Sequence, residues 1–517
     1  MRRLVIVLLV PVLAGAGILG YGFYQKDILE KAAMRVVADI PGTLRAERAE
    51  AAWFKDRVTV YGLEGVVAYV PEAPFFLKVE SLTVEDTKSD VTNSAKAQRI
   101  AATADFRGLR LQPVDETQTP VASPALTLDA FTIANVFLDT KAFAETGRKG
   151  LYSTEFVKAL LSLSWEKSEG TNLRLHLENP LEALDAPFDN LEIPEEQRNG
   201  QIVVTSLGTG AFSLSQWEGL YLDGITLRNP KGDLVTTDSI RFDSFSVFHD
   251  LLRIFMEQLL EVGNPNDVST APLLLVTEGF TLKGSIAGFA IPFPDNADVI
   301  FSVDAVAFNT TVKGLKAKID TSANGVAIPR ELVALVVPDD ELGGLFRERD
   351  YVFSSRESIE VAVSSLSTVK VAVMYSEPSL GTVEGDFEGS VDVVVKDPLG
   401  EPAKYLKSGH LAFTDAGLME TVYKAAAIRK SEEGITLTQE QVRDLLVSEM
   451  RNESTSPVIS VYDGMRERIA DFMEHSGTIR FSINPEQPLL LDSNPDSFGL
   501  LIAPYVNVSH TPPAGNM

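Results

Sequence analysis

The chain of 517 residues contains no cysteine. Disulfides, thiolate metal sites and cysteine nucleophiles are thereby excluded. The lack is compatible with an oxidising compartment, where an unpaired thiol is a liability. Positive charge is also in short supply: 46 Lys and Arg stand against 72 Asp and Glu, a formal net charge of −26. Nucleic-acid binding needs Lys and Arg to neutralise phosphates, so nucleic acid is not expected as a partner. The same balance argues against broad adhesion to anionic lipid headgroups.

Catalytic signatures are missing too. The five histidines, His176, His249, His410, His475 and His510, are scattered. None has a second histidine, or an acid at metal-ligand spacing, that repeats a known signature. Gly284-Ser285-Ile286-Ala287-Gly288 fails the nucleophile-elbow pattern, because its serine stands second. There is no P-loop. Pro338-Asp339-Asp340-Glu341 reads as a solvated turn, and the calcium alternative lacks EF-hand spacing. Paired carboxylates for glycosidase chemistry cannot be selected among 72 acids without geometry. No enzyme, cofactor or metal is expected.

What is present is ordinary folded-protein material, 45% hydrophobic and 23% charged. Met1-Arg2-Arg3 precedes an uncharged apolar run, Leu4 to Phe23. About twenty such residues span a ~30 Å hydrocarbon layer as a helix. The positive-inside rule places the N-terminus in the cytoplasm and, in a bacterium, the bulk in the periplasm. A cleaved signal peptide is the alternative, with Ala14-Gly15-Ala16 as a small-x-small site, although the apolar run continues past it. Both readings export the rest. Gly15-Ala16-Gly17-Ile18-Leu19-Gly20 is formally GxGxxG, but small residues packing in a membrane helix explain it better than a dinucleotide site. Residues 25–41 then read as an amphipathic helix, with Ile28, Leu29, Ala32, Ala33, Val36 and Val37 at helical spacing. It would lie on the membrane or cap a sheet. Pro41-Gly42 ends it.

From Thr43 to about Asp397 the period is mostly two. Leu173, Leu175 and Leu177 alternate with Arg174, His176 and Glu178, and DRVTVYGL (56–63) and SVDVVVKD (390–397) behave alike. Such alternation predicts antiparallel sheet with one buried and one wet face. A loose repeat runs through it. A glycine precedes an apolar residue at Gly62-Leu63, Gly108-Leu109, Gly224-Ile225 and Gly279-Phe280. An acid then opens a short strand motif at Glu80–Val84, Asp129–Ile133, Asp243–Val247 and Asp304–Phe308. Each unit reads as two or three strands, with the glycine permitting a bulge or close approach. The acids, recurring without partners, read as turn-facing or solvent-facing strand positions.

Helices interrupt this pattern. Ser153 could cap one carrying Phe156, Ala159, Leu160 and Leu163, and His249 to Val262 reads as a buried one. Residues 113–124 and 180–199 read as connections. Toward the C-terminus a strand, 409–415, leads into a helix closed by Gly434. Thr438-Gln439-Glu440-Gln441 is a capping box ahead of Val442, Leu445, Leu446 and Met450. A third helix, Gly464 to His475, carries Met465, Ile469, Phe472 and Met473 before a strand at 477–485. The tail from Val508 is expected to fray.

One anchor (MRRLVIVLLVPVL), a short helix (DILEKAAMRVVADI) and the strands DRVTVYGLEGVV and FLKVESLTVED together resemble the AsmA-like family of bacterial envelope proteins. The resemblance covers about the first 90 residues and continues to about residue 320 as the loose repeat. The helical insertion between Asp415 and His475 is similar to less-studied periplasmic relatives and departs from the best-known members. The resemblance implies an inner-membrane protein for envelope maintenance, with phospholipid carried along a β groove. The expected fold is mainly β with helical insertions. A single transmembrane helix (1–24) and the amphipathic helix (25–41) precede an elongated, curved, repetitive antiparallel sheet (42–400). A strand–helices–strand subdomain (401–485) and a C-terminal strand and tail (486–517) follow. The candidate groove lining is Leu82, Val84, Phe131, Ile133, Phe245, Val247, Val306 and Phe308. The candidate partners are the membrane through Leu4–Phe23, phospholipid and other envelope proteins. The competing function is a scaffold or assembly factor whose same residues form a closed core.

Overall fold

The computed structural model describes residues 26–40, 42–52, 57–67, 75–85, 98–115, 119–120, 125–139, 142, 154–177, 200–229, 232–247, 279–293, 296–337, 341–347, 349–364, 366–396, 402–452, 463–491 and 503–513. The expected membrane segment, the helix at 249–262 and the connection at 180–199 lie outside them, as do three of the four residues of the acidic turn at 338–341. Among the described residues no helix is long and apolar enough to cross a membrane. The chain is mainly β, and every described strand pairing is antiparallel. It divides into two compact units, Met1–Ala287 and Gly288–Met517.

In the first unit α1 (Lys26–Asp39) precedes β1 (Arg48–Ala51), β2 (Arg57–Val67), β3 (Phe75–Glu85), β4 (Gln98–Pro113) and β5 (Leu126–Leu138). Then come α2 (Thr154–Ser162), β6 (Ser164–Trp165), β7 (Lys167–Leu177), β8 (Gly200–Thr209), β9 (Phe212–Ser213), β10 (Gln216–Asn229) and β11 (Gly232–Val247). The long strands pair in the order β1-β2-β3-β4-β5-β7-β8-β10-β11, a meander in which chain neighbours are sheet neighbours. α1 buries Ala33 and Val37 in the same core as β2 to β5, and the Glu30 carboxylate accepts the Ala51 N–H at 2.9 Å. The amphipathic helix therefore covers the sheet with its apolar stripe.

Side-chain alternation breaks once at the same level in strand after strand. The buried residues are Leu77, Val79, Leu82 and Val84 in β3, and Ala104, Phe106, Leu109 and Leu111 in β4. In β2 they are Val58, Val60, Leu63, Val66 and Val67, and β4 buries Ala101 as well. Each set takes a step of three instead of two at this level. The register is constant through the step, so paired strands share one kink in the pleat and neither carries an extra residue. The break follows one row of directly opposed partners: Tyr61, Ser81, Arg107, Ala130, Thr171, Ser206, Asp223 and Ser239. A crease thus crosses the sheet from β2 to β11.

β12 (Phe280–Phe293) runs through the division between the units. The second unit continues with β13 (Asn296–Lys313), β14 (Lys316–Ile328), α3 (Arg330–Val336), α4 (Glu341–Arg347), β15 (Tyr351–Ala362), β16 (Leu366–Glu377), β17 (Gly381–Lys396) and β18 (Pro402–Asp415). It ends with α5 (Leu418–Glu432), α6 (Gln439–Asn452), α7 (Asp463–His475), β19 (Thr478–Ile483), β20 (Leu489–Leu491) and β21 (Val506–Thr511). Sheet order is β13-β14-β15-β16-β17-β18-β19-β21, with β20 on the first residues of β18.

The capping box forms as its sequence requires: the Gln441 N–H donates to Thr438 Oγ1 at 3.2 Å and the Thr438 N–H to Gln441 Oε1 at 2.9 Å. α6 buries Val442 and Val447, not Leu445, which is exposed. Two expectations need correction. The tail does not fray at Val508: β21 pairs with β19 through six residue pairs, and Val508 is buried against Phe472 and Ile479. Among the four expected repeat glycines, Gly279 precedes its strand, and the left-handed position inside β12 is Gly288, φ 62°.

Candidate functional site

The repeat acids have partners that the sequence does not reveal. Gly62 and Gly108 adopt φ 59° inside strands, Gly224 φ 60° and Gly325 φ 61°. Other residues reach this left-handed region at a cost of about 1–2 kcal/mol, Asn less than most. Asn172 holds the equivalent place in β7 at φ 54°. The preceding strand lays a polar side chain across each of these positions. Glu47 covers Gly62, Glu80 covers Gly108, Thr205 covers Gly224 and Asp304 covers Gly325. At Asn172 the contact is a hydrogen bond, Nδ2 to Asp129 Oδ2 at 2.9 Å. Glu80 and Asp304 thus lie over a backbone that has no Cβ, Asp129 bonds Asn172, and Asp243 pairs with Lys283 at 3.3 Å. All four acids are exposed, as expected, but they are not unpartnered. Beside the crease is an open depression of about 420 Å³ lined by Glu80, Arg110, Asp129, Arg174 and His176. Its charges are mixed and its side chains face water.

The eight candidate lining residues divide into three environments. Leu82, Val84 and Ile133 are 0% exposed in the core of the first unit, and Phe131 packs on that core. Leu82, Val84 and Ile133 are closed interior, and Phe131 is half-buried at its margin. Phe245 belongs to an aromatic run in which Trp165 stacks on Phe212 at 4.0 Å. Trp217 lies 4.4 Å from Phe245, and Phe245 meets Phe280 edge-on at 5.8 Å. Val247 closes β11, and its side chain lies outside the described residues. Val306 and Phe308 are half-buried on a different kind of surface.

That surface is one face of the second unit's sheet. Reading across the register from Phe308, opposed residues are Thr321, Glu357, Val373, Gly385, Leu411, Phe481 and Val508. The row beside it is Thr310, Ile319, Ile359, Val371, Phe387, Gly409, Ile483 and Val506. The reverse face carries Lys318, Asp320, Glu360, Lys370, Glu388 and Asp386 instead. Charges there are paired, Lys318 with Asp320 at 3.1 Å and Lys370 with Glu388 at 3.3 Å, and His410 Nδ1 lies 2.6 Å from Asp386 Oδ1. A hydrogen bond from Ser358, more than Lys318, holds the Asp320 carboxyl below its ordinary range.

Among the described residues, helices cover one end of the apolar face. Phe472 of α7 meets Phe413 at 5.9 Å, and Met419 of α5 and Met465 and Ile469 of α7 pack beside Ile479, Phe481 and Val508. Further along the same face Ile319 is 40% exposed, Phe387 36% and Leu411 40%. Full burial of such a side chain is worth about 1.5–3 kcal/mol, so each forgoes roughly 1 kcal/mol by staying open. Glu357 interrupts the middle of the face, and its carboxylate accepts a hydrogen bond from the Tyr375 hydroxyl, which raises that phenol's pKa.

Periodicity identified Val306 and Phe308 and missed Ile319, Ile359, Val371, Phe387 and Leu411. The available signal was alternation in KIDTSANGVAI and LSTVKVAVMYSE, without the glycine–acid motif. His475 and His510 bond backbone carbonyls at Asp471 (3.1 Å) and Ser476 (2.6 Å). Among the described residues no group of three metal-ligating side chains exists. No family model matches this chain, and no curated protein is significantly similar to it.

Proposed function

We propose that this chain is a membrane-anchored periplasmic protein of envelope maintenance that holds phospholipid acyl chains on the apolar face of its second unit. The observation that supports the reading is the partly exposed stretch of that face around Ile319, Phe387 and Leu411, backed by a reverse face rich in charged and polar side chains. A surface with apolar centre and wet margins suits acyl chains whose headgroups stay in water. The anchor is the apolar run Leu4–Phe23. No catalytic step belongs to the reading.

The test is lipid content. The full chain is purified from membranes, extracted with organic solvent and its phospholipid counted per chain by mass spectrometry, beside a Phe387→Asp/Leu411→Asp variant with the same circular dichroism. Both retain lipid around the anchor, so the excess in wild type reports the face. An excess of one or more lipids per chain is expected; equal content sinks the reading.

The closed core around Leu82 and Ile133 favours a second reading for the first unit alone, as a rigid acidic scaffold for other envelope proteins. A pull-down that captures a partner on the first unit's surface, with no lipid excess, would favour it.

A further inference from the structure

The hairpin between β13 and β14 turns over Gly314-Leu315, and Lys313 and Lys316 are directly opposed across it. Gly314 takes φ 58° at the first central position, which a type II′ turn reserves for glycine. Leu315 is 54% exposed at the tip. In the adjacent hairpin, between β15 and β16, Val363 and Leu366 are 47% and 43% exposed. The two tips are joined, since the Val363 N–H donates to the Leu315 carbonyl at 2.7 Å. Three large aliphatic side chains therefore stand together at one end of the sheet.

Lysines flank them. Lys313 and Lys316 meet no carboxylate among the described residues, and like charges directly opposed weaken a hairpin. The arrangement is conspicuous in a chain of net charge −26. Acids also lie near this tip. Glu360 is diagonal to Lys316, roughly 8 Å away, and is set between Lys318 and Lys370 in its own row. Asp392 is directly opposite Leu366, but three strands from Lys316, about 14 Å away. Asp320 is four residues behind Lys316, also about 14 Å along the strand. The last two distances exceed the Debye length of about 8 Å at physiological salt, and Glu360 is offset by the two lysines opposite it.

We propose that the joined tips dock on an anionic phospholipid bilayer, with Leu315, Val363 and Leu366 entering the boundary between headgroups and acyl chains and Lys313 and Lys316 meeting lipid phosphates. The insertion needed is shallow, about 5–10 Å, which keeps Asp320 in water and brings Asp392, opposite Leu366, to the level of the headgroups. Leu315 is contiguous through Ala317 with Ile319, so the docked edge opens onto the partly exposed apolar face. That last role, as an entry for acyl chains, rests on the function proposed above; docking does not.

The absence of cysteine makes Leu315→Cys a unique labelling site. The full chain, labelled there with bimane, is reconstituted in vesicles containing dibrominated phosphatidylglycerol and mixed with further vesicles of the same composition. Bromine quenching and a blue shift are expected. Lys313→Glu/Lys316→Glu should weaken the contact on the order of tenfold or more, and dibrominated phosphatidylcholine should quench less. A label at Glu384→Cys, at the other end of β17, should stay unquenched. Val363→Cys repeats the reading if Leu315→Cys misfolds. No quenching at either tip, or quenching indifferent to charge reversal, overturns docking. A blue shift that grows with protein concentration without vesicles assigns the tips to a second copy and overturns it too. Lipid content unchanged by Lys313→Glu/Lys316→Glu would leave docking standing and remove only the entry role.

Discussion

The Glu80 side chain lies flat across Gly108 on the neighbouring strand, so close that a Cβ on that glycine would sit 2.4 Å from its Cγ and Cδ. The contact joins two demands at one residue, a left-handed backbone and an unobstructed surface. Gly108→Ala should therefore lose both the ~1–2 kcal/mol of backbone strain and the Glu80 packing. Gly219→Ala, at φ 60° with only one neighbour near 3.8 Å, should lose the strain alone. Urea unfolding of both variants, with Glu80→Ala added to each, checks this. Glu80→Ala should rescue part of the Gly108→Ala loss and none of the other; equal rescue would remove the packing role.

The closed core and the open face should respond oppositely to truncation. Leu82→Ala removes a fully buried side chain and should cost about 2–5 kcal/mol. Leu411→Ala, from a partly exposed side chain, should cost about 1 kcal/mol or less yet reduce the lipid excess. Denaturation midpoints and lipid counts on the same preparations separate the two.

Tyr423 of α5 is buried, and its hydroxyl donates to the Met473 carbonyl of α7. Burial pushes its pKa up to about 12 from 10.0. A raised folded value means the protonated form is favoured by folding. The associated stability is complete below pH 10 and is lost as pH rises toward 12. Alkaline unfolding followed by tyrosinate absorbance should show that slope in wild type. Tyr423→Phe should flatten it while lowering neutral-pH stability by about 1 kcal/mol.

Arg451 of α6 reaches three carboxylates of α7: Glu467 at 3.4 Å, Asp471 at 3.1 Å and Glu474 at 2.8 Å. The network is partly exposed, so Arg451→Met should cost only about 1 kcal/mol. The loss should shrink in molar salt, because the pairs are screened. Thermal melts at low and high salt measure it; a salt-independent loss would point to packing by the arginine stem instead.

Much of the local structure was legible. The Thr438–Gln441 capping box forms because its two hydrogen bonds lie within one turn of helix. The strand at Phe75–Glu85 forms with the expected apolar set inward. The cross-strand acid was not legible as a partner, because Glu80 meets Gly108 only through a register between strands that are separate in sequence. The tail strand was hidden for the same reason: VNVSHT gains its order from β19, not from itself.

Sequence alone determined the β character, the two-residue period and the acidic balance, since each follows from local sterics or from counting. It also assigned Leu82 and Phe308 alike to an apolar face. Only the tertiary structure decided that Leu82 is sealed and that the face of Phe308 stays partly open. Alternation says which side chains share a face. Whether that face is covered depends on what the rest of the chain lays over it: among the described residues, α1 and the neighbouring strands over one, and α5 and α7 over one end of the other.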